Sequence, residues 1–261
     1  MHDLHIHTTL SRCAREDAAP GGYLAEIRRR PFTVAGFADH LWDSDVPGAS
    51  DWYRPQDIPH VLSLRRELAD VTIPGVRLLF GCETEYIGNG VVGLTPEHAA
   101  LFDFVLVPAN HFHMEGFVRP AGMEGSDELR RLFLDRFLEV CEIDFAFGIA
   151  HPFVPIGFFD RGEELLAGIP DRLFEECFRA AAEKRKSIEL NLSIFRKMPP
   201  GALREYERVM TIARECGCRF HTGSDAHGLG QFGEETFRAG GEFARRCGIA
   251  MPEDPTAGGV N

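Results

Sequence analysis

The sequence predicts an α/β fold in which a distorted seven-stranded TIM-like barrel forms one domain. Short apolar segments with strand character alternate with amphipathic helical segments, and no low-complexity linker or block of like charges divides the chain. The predicted strands also end in polar side chains, which indicates that the strand ends converge on one site. We therefore expect a single domain over residues 1–250 and a C-terminal tail over residues 251–261.

Seven segments have the pattern of buried parallel strands. Each is short and largely apolar, and turn-forming or helical sequence follows it. These strands are predicted at residues 2–8, 33–40, 77–87, 102–112, 145–152, 187–193 and 219–227. The predicted helices between them include residues 57–71, 126–142, 170–186 and 201–216, with Ser126 as an expected N-cap. This alternation implies a parallel sheet covered by helices.

Composition narrows the classes of function. The chain has 261 residues and a formal net charge of -12 at pH 7, so its field repels polyphosphate backbones and disfavours nucleic acid as a partner. No apolar segment approaches the roughly 20 residues of a membrane span. The first residues, MHDLHIH, lack the basic start and apolar stretch of a signal peptide. We expect a cytoplasmic protein without a membrane partner, and we make no prediction of its oligomeric state.

Side chains that can bind metals stand at the ends of the predicted strands. His5 and His7 alternate in the first strand, so both rings project from one face. The following strands end in His40, Glu83, His111, His151 and Asn191, and the last strand ends in Asp225 and His227. Parallel α/β barrels build their active sites at this edge. Converging donors also favour closure, because the outer strands of an open sheet lie too far apart to share a site.

The donor types predict the chemistry of such a site. Imidazoles and carboxylates together bind divalent transition metals and leave positions open for water and substrate. Ions about 3.5–4 Å apart can share a hydroxide whose pKa falls towards about 7. The expected nucleophile is therefore a metal-bridging hydroxide rather than a side chain.

Six motifs together resemble a known family. DLHIHTTLS, ADH, GCETE, NHF, AHP and GSDAH follow one another between Asp3 and His227. In this order they resemble the PHP superfamily, which is named for polymerase and histidinol phosphatase. The resemblance implies a (β/α)7 barrel with a trinuclear metal centre that hydrolyses phosphoesters. It implies that Glu83 bridges two ions and that the metal ligands are His5, His7, His40, Glu83, His111, His151, Asp225 and His227.

One ligand position departs from the commonest pattern of that family. Cys13, Glu16 and Asp17 are all candidates for it. A thiolate would favour softer metals such as zinc, whereas a carboxylate suits manganese, iron or magnesium. We prefer Asp17, and we expect two to three divalent ions of manganese, iron or zinc as the cofactors.

The expected activity is that of a metal-dependent phosphatase, and its partner is a small-molecule phosphate ester. Histidinol phosphate is the first named substrate that the resemblance implies. Glu83, Asp225 and His227 are the predicted catalytic residues. Arg196 is predicted to hold the phosphate through its guanidinium, with Lys197 beside it. The other predicted substrate-binding residues are Asn191 and His113.

Other functions would use a similar site. A phosphodiesterase, an exonuclease or a nucleoside bisphosphate phosphatase would share the trinuclear centre, although the acidic charge opposes a long polyanion. An amidohydrolase-type metal hydrolase generally has a lysine where this chain has His111. A scaffold without catalysis is disfavoured because the set of expected ligands is nearly complete. The loops at residues 41–60 and 114–128 are predicted to determine substrate specificity.

Overall fold

Seven parallel strands form the barrel in a computed structural model that describes residues 1–257. The strands in chain order are β1 (His2–Ile6), β2 (Val34–Leu41), β3 (Arg77–Thr84), β4 (Tyr86–Gly88), β5 (Val91–Val92), β6 (Val105–Pro108), β7 (Gly148–Ala150), β8 (Ser187–Asn191) and β9 (Arg219–Gly223). The sheet order is β1-β2-β3-β6-β7-β8-β9, and every neighbouring pair is parallel. This confirms the predicted fold class and all seven predicted barrel strands.

The barrel closes between its first and last strands. The amide of Asp225 donates to the carbonyl of His5 at 2.8 Å, and the amide of His7 donates to the carbonyl of Ala226 at 3.1 Å. Ile6 and Ala226 form a parallel bridge at the same level. These bonds lie just beyond β9, so the two ends of the sheet meet where the predicted ligands stand.

Apolar side chains that precede the polar site along the strands fill the barrel interior. The ring of Phe104 lies across β2 and β3, where two glycines give it space. A Cβ on Gly81 would lie 2.5 Å from this ring, and one on Gly36 would lie 2.8 Å from it. Leu4 and Leu106 belong to the same buried cluster. The close approach of Phe104 therefore requires glycine at both positions.

Helices cover the outside of the barrel. They are α1 (Pro20–Arg29), α2 (Ile58–Val61), α3 (Ser63–Glu67), α4 (Pro96–Ala99), α5 (Ser126–Cys141), α6 (Gly162–Ala167), α7 (Asp171–Glu183), α8 (Ile194–Lys197), α9 (Pro200–Glu215) and α10 (Glu234–Arg246). In α7 the buried residues are Phe174, Cys177, Phe178 and Ala181, and this spacing places them on one helix face. In the described part of the chain, no helix is both long and apolar enough to span a bilayer.

Several predicted elements differ in detail from the structure. Five barrel strands, β1, β6, β7, β8 and β9, end earlier than predicted, so some of the predicted strand-end residues lie just beyond their strands. The predicted helix 57–71 is two short helices, and the Ser63 hydroxyl donates to the His60 carbonyl at 2.5 Å, a local bond that competes with helical hydrogen bonding. Gly125, rather than Ser126, occupies the N-cap of α5, and the Ser126 hydroxyl bonds to Glu164. The predicted third strand stops at Thr84 because the chain then enters the β4–β5 hairpin.

Part of the predicted C-terminal tail packs against the amino ends of the strands. The Nδ1 atom of His2 donates to the carbonyl of Pro252 at 2.9 Å, and Thr33 Oγ1 donates to the carbonyl of Glu253 at 2.7 Å. Arg219 Nη2 donates to the carbonyl of Pro255 at 3.1 Å. The segment thus covers the end of the barrel opposite the strand-end site. Residues 258–261 of the predicted tail lie outside the described residues, and the domain boundary at residue 250 stays a prediction.

Candidate metal centre

Eight of the predicted ligands meet at the carboxyl end of the barrel. Strands and strand ends supply all of them, and His227 is the least buried. Their donor atoms form three groups, each with its atoms within 4.8 Å of one another: His7, His40 and His227; His5, His7 and Asp225; and Glu83, His111 and His151. Such a convergence of imidazoles and carboxylates is the donor set of a multinuclear transition-metal site.

The Glu83 carboxylate lies between two pairs of histidines, with His5 and His40 on one side and His111 and His151 on the other. Its Oε2 atom lies 3.1 Å from His40 Nδ1 and 3.3 Å from His5 Nε2. Its Oε1 atom lies 3.0 Å from His151 Nε2 and 3.8 Å from His111 Nε2. The two carboxylate oxygens therefore face different imidazoles, and one carboxylate could serve two ions.

The backbone is unusual at two of these positions. His151 has a φ of 32° and Asp225 has a φ of 49°. Non-glycine residues seldom adopt this left-handed region, and when they do they are often found at functional sites. His151 is the first and Asp225 the second residue after a strand end, and in both cases the turn directs the side chain towards the cluster.

Most of the histidines are oriented by a polar partner on the Nδ1 side of the ring. His5 Nδ1 lies 2.7 Å from Glu189 Oε1, and His111 Nδ1 lies 2.6 Å from Glu85 Oε2. His151 Nδ1 is paired with Asn110 Oδ1 at 2.8 Å. A bond of this kind fixes the ring and leaves Nε2 as the metal-binding atom. In the same way, His7 Nδ1 lies 3.1 Å from Ser11 Oγ.

These partners were not predicted from the sequence, although strand parity gives a signal for one of them. Glu189 has the same strand parity as Asn191, so both project to the interior of the barrel. Asn191, predicted to bind substrate, instead donates to Glu189 Oε2 at 3.2 Å and accepts from the Ser193 hydroxyl at 2.6 Å. The structure therefore places Asn191 as a support for Glu189.

Burial and mutual charge shift the pKa values of the cluster. Burial alone raises the pKa of Glu83, but His5 and His40 outweigh it and hold that pKa well below its usual value. Burial lowers the pKa of His40 far below its usual value, and the neighbouring histidines add to the effect. Burial and the nearby His7 ring lower the pKa of His227 to about 4. Glu83 is therefore ionised and His40 and His227 are neutral, which are the forms that bind metals. At His5 and His111 the neighbouring carboxylates outweigh burial, raising the pKa of His5 well above its usual value and that of His111 to about 9, so a bound metal would displace their protons.

The residues present fit a bound divalent metal. His40 Nδ1 is buried and makes no well-aligned hydrogen bond, although Glu83 Oε2 lies 3.1 Å away. A cation held between the two atoms would use the lone pairs of both. The Nε2 atoms of His5 and His7 lie 3.0 Å apart. Two ring nitrogens at this distance compete for one proton, whereas metal ions would use both lone pairs.

The structure does not bring every predicted ligand to this cluster. Among residues 1–257, Asp17 joins none of the donor groups. It is exposed and lies beside Gly228, where a Cβ would be 2.4 Å from its Oδ1 atom. Glu16 is also exposed. Of the three candidates for the variable position, Cys13 is the one that lines the adjoining cavity.

That cavity has a volume of about 490 Å³ and is lined by Glu83, Asp225 and His227, the three predicted catalytic residues. The predicted substrate-binding residue His113 also lines it. Arg196 does not, and its Nη1 atom instead donates to Thr236 Oγ1 at 3.4 Å.

Lys197 supplies the positive charge at the cavity. Its Nζ atom lies 3.6 Å from Asp225 Oδ2, and Lys197 is the one lysine or arginine among the described lining residues. Arg196 and Lys197 are neighbours in the short helix α8, and the orientation of that helix turns Lys197, not Arg196, towards the site.

A further group of potential donors, Asp43, Asp45 and His98, has a structural explanation. Asp43 Oδ2 accepts from the hydroxyl of Thr95 at 2.9 Å and from His98 Nδ1 at 2.7 Å. Asp43 Oδ1 accepts from the amide of Asp45 at 3.0 Å. These bonds join the loop after β2 to the start of α4.

Comparison with known proteins places this architecture among parallel α/β barrels related to TIM barrels. Neither the family models nor the curated proteins include a match to this chain. Among solved structures, it is similar to a histidinol phosphate phosphatase from Lactococcus lactis subsp. lactis Il1403, complexed with zinc, L-histidinol and phosphate. The identity is 17%, the alignment covers 96% of this chain and 94% of that chain, and the TM-score is 0.61.

A second similar structure is the putative histidinol phosphatase HisK from Listeria monocytogenes. It is 15% identical, with a TM-score of 0.65, and the alignment covers 91% of this chain and 99% of that chain. Both of these similar structures carry the name of a histidinol phosphatase, the second as a putative one, in agreement with the resemblance of the motifs. At this identity the likeness establishes the shared barrel fold.

Proposed function

We propose that this protein is a metal-dependent phosphatase that hydrolyses a small-molecule phosphomonoester. The observation that carries the proposal is the convergence of six histidines and two carboxylates at one end of the barrel. Each of the two carboxylate oxygens of Glu83 faces a different pair of these histidines. The adjoining cavity gives a substrate access to these donors. The zinc, L-histidinol and phosphate in the similar Lactococcus lactis structure support the same class of chemistry.

The three donor groups would hold two to three divalent ions of manganese, iron or zinc. Bound ions would supply Lewis-acid stabilisation of phosphoryl oxygens and a lowered pKa for water. Glu83 would be shared between ions, and Asp225 and His227 would hold an ion at the cavity wall. Cys13 or Asp17 would complete the variable position, and Cys13 is favoured because it lines the cavity.

We assign the phosphate contact to Lys197 rather than to Arg196. Lys197 lines the cavity beside Asp225, and an ammonium there would attract the phosphate dianion. His113 lines the same cavity and would contact the substrate near the ester oxygen.

Histidinol phosphate is the first substrate to test, because the motif resemblance and the ligands of the Lactococcus lactis structure both point to it. The acidic net charge of -12 disfavours long polyanions, so nucleic acid is a weaker candidate.

The test is phosphate release by the full chain before and after metal removal. The protein is stripped with a chelator and then reconstituted with manganese or zinc. It is assayed on histidinol phosphate, other alcohol phosphates, nucleotides and a phosphodiester. We expect metal-dependent release of phosphate from a monoester. A reconstituted protein that hydrolyses none of the monoesters would refute the proposal.

A further inference from the structure

One wall of the cavity consists of aromatic and apolar side chains. Trp52 and Tyr53 come from the segment between β2 and α2, whereas Met114 and Phe117 follow β6. The rings of Trp52 and Tyr53 pack edge to face with centroids 4.7 Å apart, and those of Tyr53 and Phe117 lie 5.9 Å apart. Because these rings support one another, the wall is formed before a ligand arrives.

This wall offers few free polar groups to a ligand. The Tyr53 hydroxyl donates to Glu85 Oε2 at 3.0 Å, and the side chain is almost fully buried, so Tyr53 supports the wall from behind Trp52 and Phe117. Ser50, another lining residue, accepts from the amide of Tyr53 at 3.3 Å. Apolar contact is therefore the main means by which the wall can hold the alcohol part of a substrate.

The lining charges suit a phosphate but not a cationic alcohol. Among the described lining residues, the acids are Glu83 and Asp225, and both face histidines of the candidate metal centre. Lys197 adds positive charge at the same edge. An ammonium group on the alcohol would lose hydration in the cavity without gaining a free carboxylate.

We infer that the site selects phosphomonoesters of an uncharged arylalkyl alcohol over histidinol phosphate, whose alcohol is cationic. The aromatic ring would lie against Trp52 and Phe117, and the phosphate would face Lys197. The inference rests on the proposed phosphatase activity and specifies its substrate class. In the reaction, the oxygen of water forms a bond to phosphorus while the ester P–O bond breaks. The leaving oxygen gains a proton, so the products are the alcohol and inorganic phosphate.

The first experiment compares four primary-alcohol esters with the metal-loaded full chain. They are 3-phenylpropyl phosphate, phenylalaninol phosphate, histidinol phosphate and glycerol phosphate. The first two differ by the ammonium group alone, and glycerol phosphate lacks the ring. We expect kcat/KM for 3-phenylpropyl phosphate to exceed each of the others by about tenfold or more.

The outcomes separate the two proposals. Hydrolysis that is best with histidinol phosphate or glycerol phosphate, or equal with all four, would overturn the substrate class while leaving the phosphatase intact. Hydrolysis of no monoester would instead refute the proposed function.

The second experiment removes one ring from the wall. Trp52→Ala should weaken binding of 4-phenylbutylphosphonate by about tenfold, as measured by calorimetry. The kcat/KM ratio of 3-phenylpropyl to glycerol phosphate should fall by a similar factor. Leu138→Ala, which alters an exposed residue of α5, is the matched control. An unchanged affinity and ratio in Trp52→Ala would contradict the inference.

Discussion

Glu83 is the residue on which the multinuclear site depends most. Because its two oxygens face different imidazoles, its loss should disturb two ions together. Glu83→Gln keeps the shape but removes the charge, so we expect metal content to fall and phosphate release to be lost while the protein stays folded. Metal analysis, circular dichroism and the phosphatase assay test this. Glu115→Gln, which removes the charge of a half-exposed carboxylate, is the control. Near wild-type turnover by Glu83→Gln would exclude the bridging role.

Lys197 and Arg196 give a second prediction at the residue scale. Lys197→Ala should lower kcat/KM on the best phosphomonoester by about ten- to a hundredfold, which corresponds to about 1.4–2.8 kcal/mol of lost transition-state stabilisation. Arg196→Ala should have a much smaller effect, because Arg196 lies outside the cavity lining. Steady-state kinetics at equal metal content measure both. The opposite order of effects would restore Arg196 as the phosphate-binding residue.

Residue types and strand parity were enough to predict eight converging donors, but not their supporting partners. His5 and Glu189 are 184 positions apart in the chain, and only the closed barrel brings them into contact. The choice between Lys197 and Arg196 depends on the orientation of one short helix. Adjacent positions of this kind cannot be distinguished by composition or motif.

At the scale of elements, strand β8 carries a prediction about ring orientation. Glu189 contacts His5 on one side and the His151 amide on the other. Glu189→Gln should therefore weaken metal binding by about ten- to a hundredfold without removing a metal ligand. Competition with a chelator measures the affinity. Glu183→Gln, at an exposed position of α7, is the control. An unchanged metal affinity in Glu189→Gln would show that the contact between Glu189 and His5 does not assist metal binding.

Strands were easier to predict than the local breaks between elements. Apolar runs followed by polar ends identified all seven barrel strands. The end of β3 was missed because strand-favouring residues continue through Tyr86 into the hairpin. There Gly88 and Gly90 adopt positive φ values of 92° and 76°. The break after α2 depends on one hydroxyl bond of Ser63, which a helical repeat does not reveal.

At the scale of the whole molecule, His2 links the barrel to the C-terminal segment. Its Nδ1 atom donates to the Pro252 carbonyl, while its Nε2 atom accepts from the Thr222 amide at 2.9 Å. This arrangement requires the neutral ring. Burial accordingly lowers the pKa of His2 from 6.5 to about 4.

The lowered pKa gives stability a defined pH dependence. The unfolded chain binds a proton at His2 below about pH 6.5 and the folded chain does not, so this contribution is present above pH 6.5 and is lost as pH falls towards 4. At about pH 5 the loss of unfolding free energy from this group is about 2 kcal/mol relative to pH 7. Urea unfolding of the metal-free protein at pH 7 and pH 5 should show a smaller loss for His2→Gln than for the wild type. Equal losses would contradict the prediction.

The most direct test of the multinuclear phosphatase is a titration of metal-free protein with manganese in which bound metal and phosphate release are followed together. Three donor groups, two of which share His7, should give two to three bound ions per chain. Activity should rise only as the second equivalent binds. Full activity with one equivalent or fewer, or after complete metal removal, would contradict a shared centre built around Glu83.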